Sequence, residues 1–173
     1  HLVEVVLGRI EEIPAPDAHF DLIFSRDMMG HVEDRAGGLA ECVRVLKPGG
    51  AMVLHEVVGT ELLEPREAEL VAGATATVLK NLDADLLEAE AVGAGFEIED
   101  LQLIGSEWYE ASQEAEVSPN YAMQISRLRR AEGDLIEELG EMAYRSMYGN
   151  ALWGVYILIG KLETRLYVLR KPD

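Results

Sequence analysis

Between Phe20 and Leu54 the sequence changes its periodicity three times, and that succession limits the folds open to the chain. Asp21 to Ser25 is a near-continuous apolar run, the pattern of a strand covered on both faces. An acidic, histidine-bearing loop follows, with Asp27 and His31. From about Arg35 to Leu46 the apolar residues Leu39, Cys42, Val43 and Leu46 recur at helical spacing. Lys47-Pro48-Gly49-Gly50 then reads as a turn, with the glycine pair stopping the helix, and Ala51 to Val58 is again strand. A strand, a crossover helix and a second strand join most simply as a parallel pair.

The flanking sequence extends this alternation. Leu2 to Leu7 is a β-branched run closed by Gly8 and reads as a strand ending in a turn. Ile13-Pro14-Ala15-Pro16-Asp17 excludes helix, because two prolines lack donors and bias their neighbours to extended geometry. Glu67 to about Gly95 reads as two helical pieces broken near Asn81 to Asp83. Phe96 to Ile104 alternates as a strand with one wetter face. Ser118 to about Lys161 is mostly helical, and Thr164 to Arg170 closes the chain as a strand. No internal repeat or linker is visible, so one domain over 1–173 is expected, with 118–161 as a helical insert serving as lid or dimer element. The fold class is α/β, a doubly wound, mostly parallel sheet. Ligands of such sheets lie beyond the carboxyl ends of the strands, here Gly8-Arg9-Ile10, Ser25-Arg26-Asp27, Glu56-Val57 and Gly105-Ser106-Glu107.

Charge narrows the partners. With 15 Lys and Arg against 32 Asp and Glu, the net charge is −17. That lacks the basic footprint nucleic acid requires, and it disfavours anionic membrane surfaces. A small molecule or a protein is the expected partner. The single cysteine, Cys42, excludes an internal disulfide and fits a reducing cytoplasm. Its place between apolar helical positions reads as a packed thiol. The longest strongly apolar run, Ala151 to Ile159, is too short for a membrane span. The chain begins with His rather than Met, without a visible signal peptide, and reads as an interior segment of a longer protein.

Several of these pieces, in this order, resemble the middle of a class I S-adenosylmethionine-dependent methyltransferase of small-molecule type. Gly8-Arg9-Ile10 stands where that family has a Gly-Asp-Ala-like segment beside the adenine. Pro14, Pro16, Asp17, Phe20 and Asp21 resemble its stretch before the fourth strand. Leu46-Lys47-Pro48-Gly49-Gly50 resembles its turn before the fifth, and Ala94-Gly95-Phe96 its turn before the sixth. Ser25-Arg26-Asp27 followed by His31 is similar to the phosphoethanolamine methyltransferases, whose matching histidine belongs to the catalytic site. The resemblance implies a Rossmann-like sheet, S-adenosylmethionine as cofactor, and methyl transfer to an amine, hydroxyl or activated carbon. It covers about residues 2 to 110. The family's glycine-rich cofactor loop has no counterpart upstream of Phe20, and Arg9 stands in place of an acidic residue. The late helices do not match the phosphoethanolamine enzymes' phosphate-binding tail. The resemblance therefore implies a sheet incomplete at its N-terminal side, an open edge at Asp21 to Ser25, and weak cofactor binding by this segment alone.

On this reading Gly8, Arg9 and Ile10 lie beside adenine, and Ser25 and Arg26 along the cofactor edge. His31 is the base, because methyl transfer requires positioning a nucleophile and removing its proton, and neutral imidazole accepts a proton near pH 7. Asp27 supports His31. His55, Glu56, Trp108 and Tyr109 are substrate-side candidates. Each has a plainer reading: His31 as a helix-start residue, Asp27 as an Asx turn or N-cap, Arg26 in a surface ion pair, the aromatics as core. No close ligand pair marks a metal site. The alternative to an enzyme is a catalytically inactive binding or dimerisation module of the same fold.

Overall fold

The computed structural model describes residues 3–117 and 119–173. Its elements are β1 (Phe20–Arg26), α1 (Arg35–Val45), β2 (Leu46–Gly59), α2 (Pro65–Thr75) and α3 (Ala84–Ala94), then β3 (Glu97–Ile104), α4 (Ser106–Glu114), α5 (Tyr121–Arg130), α6 (Glu132–Leu139), α7 (Glu141–Leu158) and β4 (Leu162–Arg170). Four strands form one sheet in the order β1-β2-β4-β3. β1 and β2 are parallel, with Ile23 opposite Met52 and Arg26 opposite His55. Backbone bonds link Gly49 and Gly50 to Lys171 and Thr60 to Lys161, so β4 runs opposite to β2. The α/β class and doubly wound character follow, with the last strand reversed.

The chain divides into two compact units, residues up to 56 with 83–102 and 165–173, and residues 57–82 with 103–164. In the first, α1 exists because Leu39, Cys42 and Val45 form one fully buried stripe, continued by Leu46, Met52 and Leu54. Asp34 caps it by accepting from the Gly37 amide at 3.0 Å. Arg44 and Glu41 on α1 clamp the proline segment. The guanidinium donates to the carbonyls of Ile13 and Ala15, both at 2.9 Å, and the Glu41 carboxylate accepts from the Ile13 amide at 2.9 Å. That side-chain scaffold holds a stretch that cannot bond itself into a helix. At the end of α3, Gly95 takes the left-handed conformation (φ +108°), and the Phe96 amide bonds back to Ala91. Phe96 is thereby buried.

The second unit is helical. α2 starts with a reciprocal capping box between Glu64 and Glu67 behind Pro65. Its core joins Val71, Ala72 and Leu82 to Leu152, Tyr156, Ile157 and Leu162, while a second cluster is formed by Leu128, Tyr144 and Ala151. α7 touches α2, α4, α5 and α6.

Four expectations need correction. Residues 3–8 form no strand; Val3, Val5, Val6 and Leu7 are exposed, and no neighbouring strand among the described residues offers them hydrogen bonds. Leu2 lies outside the described residues. β1 is covered on one side only, with Phe20, Leu22 and Phe24 exposed, and it stands at the open sheet edge expected of it. Gly49-Gly50 does not stop α1, because the chain is already extended at Leu46 (ψ 142°) ahead of Pro48, and the glycines lie within β2. The helical part before the last strand also begins earlier than expected, with α4 directly after β3.

Candidate active site at the ends of the first two strands

β1 ends at Arg26 while its neighbour β2 continues to Gly59, so the chain leaving β1 folds over the protruding part of β2. Asp27 makes that turn. Its φ of +51° lies in the left-handed region, which Asp tolerates better than most residues. Its amide donates to the His55 carbonyl at 2.9 Å, and its Oδ1 lies 3.1 Å from His55 Nδ1. Its other oxygen accepts from Arg26 Nε at 3.2 Å. Asp27 therefore ties the loop to β2.

Glu56 holds the next residues. Successive β2 side chains point to opposite faces, so Glu56 turns away from His55. Its carboxylate accepts from the amides of Met28 (3.2 Å), Met29 (2.8 Å) and Gly30 (3.1 Å). The side chain is buried, at 4% exposure, and Met29 beside it is fully buried. Burial raises the Glu56 pKa, the three amide bonds oppose that rise, and the nearby Asp27 charge adds to it. Glu56, expected on the substrate side, has its oxygens engaged by the loop backbone. His31 follows at the end of the short 3-10 turn Met29–His31 and is exposed.

The remaining candidates lie as follows. Ser25 is buried, and its Oγ has no hydrogen-bond partner among the described residues. Gly8 is exposed and packs its backbone so close to Pro14 that an added Cβ would lie 2.7 Å from the ring. Arg9 is exposed and pairs with Glu11 at 3.3 Å. Ile10 lies against Gly38 of α1. Trp108 and Tyr109 belong to the second unit. Trp108 is exposed and meets Tyr109 edge-on, and the Tyr109 hydroxyl bonds Thr164 Oγ1 at 2.9 Å. Cys42 is fully buried, and burial pushes its thiol up to about 12, so it is the packed thiol its neighbours indicated. No cluster of metal-ligating side chains occurs among the described residues.

Two features of this site escape the sequence. The link from Asp27 to His55 and the grip of Glu56 on three amides each join positions 26 to 28 residues apart. The only sequence signal is polar residues, His55 and Glu56, inside an otherwise apolar strand.

Residues 1–54 match the family model described as a methyltransferase domain. The chain is 30% identical to a dimethylglycine N-methyltransferase from Parasynechococcus marenigrum over 94% of this chain and 55% of that one. It is 28% identical to a glycine/sarcosine/dimethylglycine N-methyltransferase from Actinopolyspora halophila, over 82% of this chain and 23% of the relative. Among solved structures, a Haemonchus contortus phosphoethanolamine N-methyltransferase in complex with S-adenosyl-L-methionine superposes with a TM-score of 0.62 at 20% identity, covering 95% of this chain and 36% of that one. A cyclopropane synthase from Mycobacterium tuberculosis does so at 0.65 and 17%, covering 96% and 59%. The superpositions show a Rossmann-like fold, and the sequence match over residues 1–54 is to a methyltransferase domain. The chain is similar to class I S-adenosylmethionine-dependent methyltransferases of small-molecule type. It spans 23% and 55% of the length of the two curated relatives named.

Proposed function

We propose that the protein carrying this chain transfers a methyl group from S-adenosylmethionine to a small-molecule nucleophile, an amine, hydroxyl or activated carbon. The observation that carries this reading is the anchored loop from Asp27 to His31 at the carboxyl end of β1, where a doubly wound sheet takes its ligand. The names of two relatives matched over most of this chain, N-methyltransferases of glycine derivatives, favour an amine acceptor.

The residues present fit one side of the cofactor. A buried hydroxyl left unpaired costs about 1–3 kcal/mol, so Ser25 calls for a polar ligand atom at the end of β1. Ser25 and Arg26 would hold the cofactor edge, and Gly8, Arg9 and Ile10 would flank the adenine, the Arg9 guanidinium itself being taken by Glu11. Bound there, S-adenosylmethionine supplies an electrophilic methyl group. His31 would accept the acceptor's proton, the nucleophile's lone pair forming the new bond to the methyl carbon as the methyl–sulfur bond breaks and the sulfur keeps its electron pair. Asp27 keeps the turn that presents His31, and its carboxylate orients His55, a neighbouring contact for the acceptor. Among the described residues no helix is long and apolar enough to cross a membrane. A cytoplasmic enzyme, with the late helices as a dimer contact, completes the proposal.

The test is a transfer assay on the full-length protein with methyl-labelled S-adenosylmethionine and glycine, sarcosine and dimethylglycine as first acceptors. Label in a small-molecule product is expected, and none with any amine, hydroxyl or carbon acceptor would refute the reading. Residues 1–173 alone should bind the cofactor poorly or not at all, and micromolar binding in calorimetry would contradict that.

A further inference from the structure

We propose that Glu56 is a positioning residue for the reaction, its ionised carboxylate holding Met28 to Gly30 and so presenting His31. The proposal rests on the methyl-transfer reading of this loop and assigns Glu56 a role in it. Three consecutive amides converge on one carboxylate, two on Oε1 and one on Oε2. An ionised carboxylate only accepts, which is what three N–H groups require. Hydrogen bonds to a charged acceptor are also about twice as strong as neutral ones. Glutamine has nearly the same shape but places an NH2 group at one of these positions, where a donor would face a donor. A protonated carboxyl loses the strong acceptor character in the same way.

The groups around this carboxylate decide how the loop responds to pH. Asp27 stands beside it and disfavours its ionisation, as burial does. Arg26 offsets part of the Asp27 charge, and His55, adjacent in sequence, is bonded to Asp27. His31 ends the held turn. The loop should therefore loosen on acidification at a pH above the ordinary Glu range, while β1 and β2 stay paired.

The experiment follows amide exchange by NMR in residues 1–173, comparing the parent with Glu56→Gln. Exchange at Met28, Met29 and Gly30 should become at least about tenfold faster, while the Ile23 and Phe24 amides stay within about twofold. Unchanged exchange at the three amides would overturn the proposal. If the variant unfolds, the parent decides: the three amide proton shifts should titrate together with one midpoint above the usual Glu value, and three flat or unrelated curves would overturn it. In the full-length protein, Glu56→Gln should lower kcat by about a hundredfold with KM for the donor unchanged, because the loop is misplaced only in the reacting geometry. An unchanged kcat would refute the positioning role. A parent protein without transfer activity would instead refute the functional reading, and the NMR comparison would still stand.

Discussion

Asp27 and His55 are joined twice, once through the Asp27 amide on the His55 carbonyl at 2.9 Å and once through carboxylate and imidazole at 3.1 Å. The double link holds Asp27 in a left-handed conformation directly after β1. Such strain at a strand end persists where surrounding bonds over-determine it.

Replacing Asp27 separates backbone from side-chain effects. Asn tolerates the left-handed region, whereas Ala pays a steric cost there and loses the carboxylate bonds. Asp27→Ala should lose about 1–3 kcal/mol of stability and Asp27→Asn less than about 1 kcal/mol. Urea unfolding of residues 1–173 measures both, and an Ala variant as stable as the Asn variant would contradict the strain assignment.

The Arg44–Glu41 clamp predicts acid sensitivity. The Arg44 guanidinium, followed by the Ile13 amide, holds the Glu41 carboxyl down to about 2 from its ordinary 4.5. A group whose folded pKa is depressed stabilises the fold fully above its unfolded value, and that stability is lost as pH falls through the folded one. Stability should therefore decline between pH 4.5 and 2, with a shallower decline in Glu41→Gln. Thermal unfolding across that range checks it, and superimposable profiles would count against the clamp.

Packing around α7 is tested by its glycines. A Cβ at Gly149 would lie 2.4 Å from the Ala74 Cβ and 3.0 Å from its backbone, and one at Gly154 would fall 2.4 Å from the Tyr121 ring. Backbone cannot move aside as a side chain can. Gly149→Ala should cost about 1–3 kcal/mol or more and Gly154→Ala less, readable in urea midpoints. Equal, negligible losses would mean that α7 packs differently.

These sites show why the fold was more legible than the active site. α1 and β3 follow from local periodicity, and the Gly95 turn from glycine's freedom at positive φ. The strand expected over residues 2–7 is absent from the described residues 3–7 because a strand needs a partner, which periodicity does not supply. β1 looked doubly buried because hydrophobicity records what a face suits, whereas Phe20, Leu22 and Phe24 are exposed in this chain. The role of Glu56 depends on amides across the turn, and amides carry no side-chain signature.

We propose that the loop after β1 presents His31 as the base for methyl transfer. The direct measurement compares single-turnover methyl transfer by the full-length protein and its His31→Ala variant across pH, with donor affinity measured separately. The rate constant should fall about 10²–10⁴-fold at unchanged donor affinity, with loss of the acid limb of the pH profile. Transfer near the parent rate with the same profile would contradict the assignment.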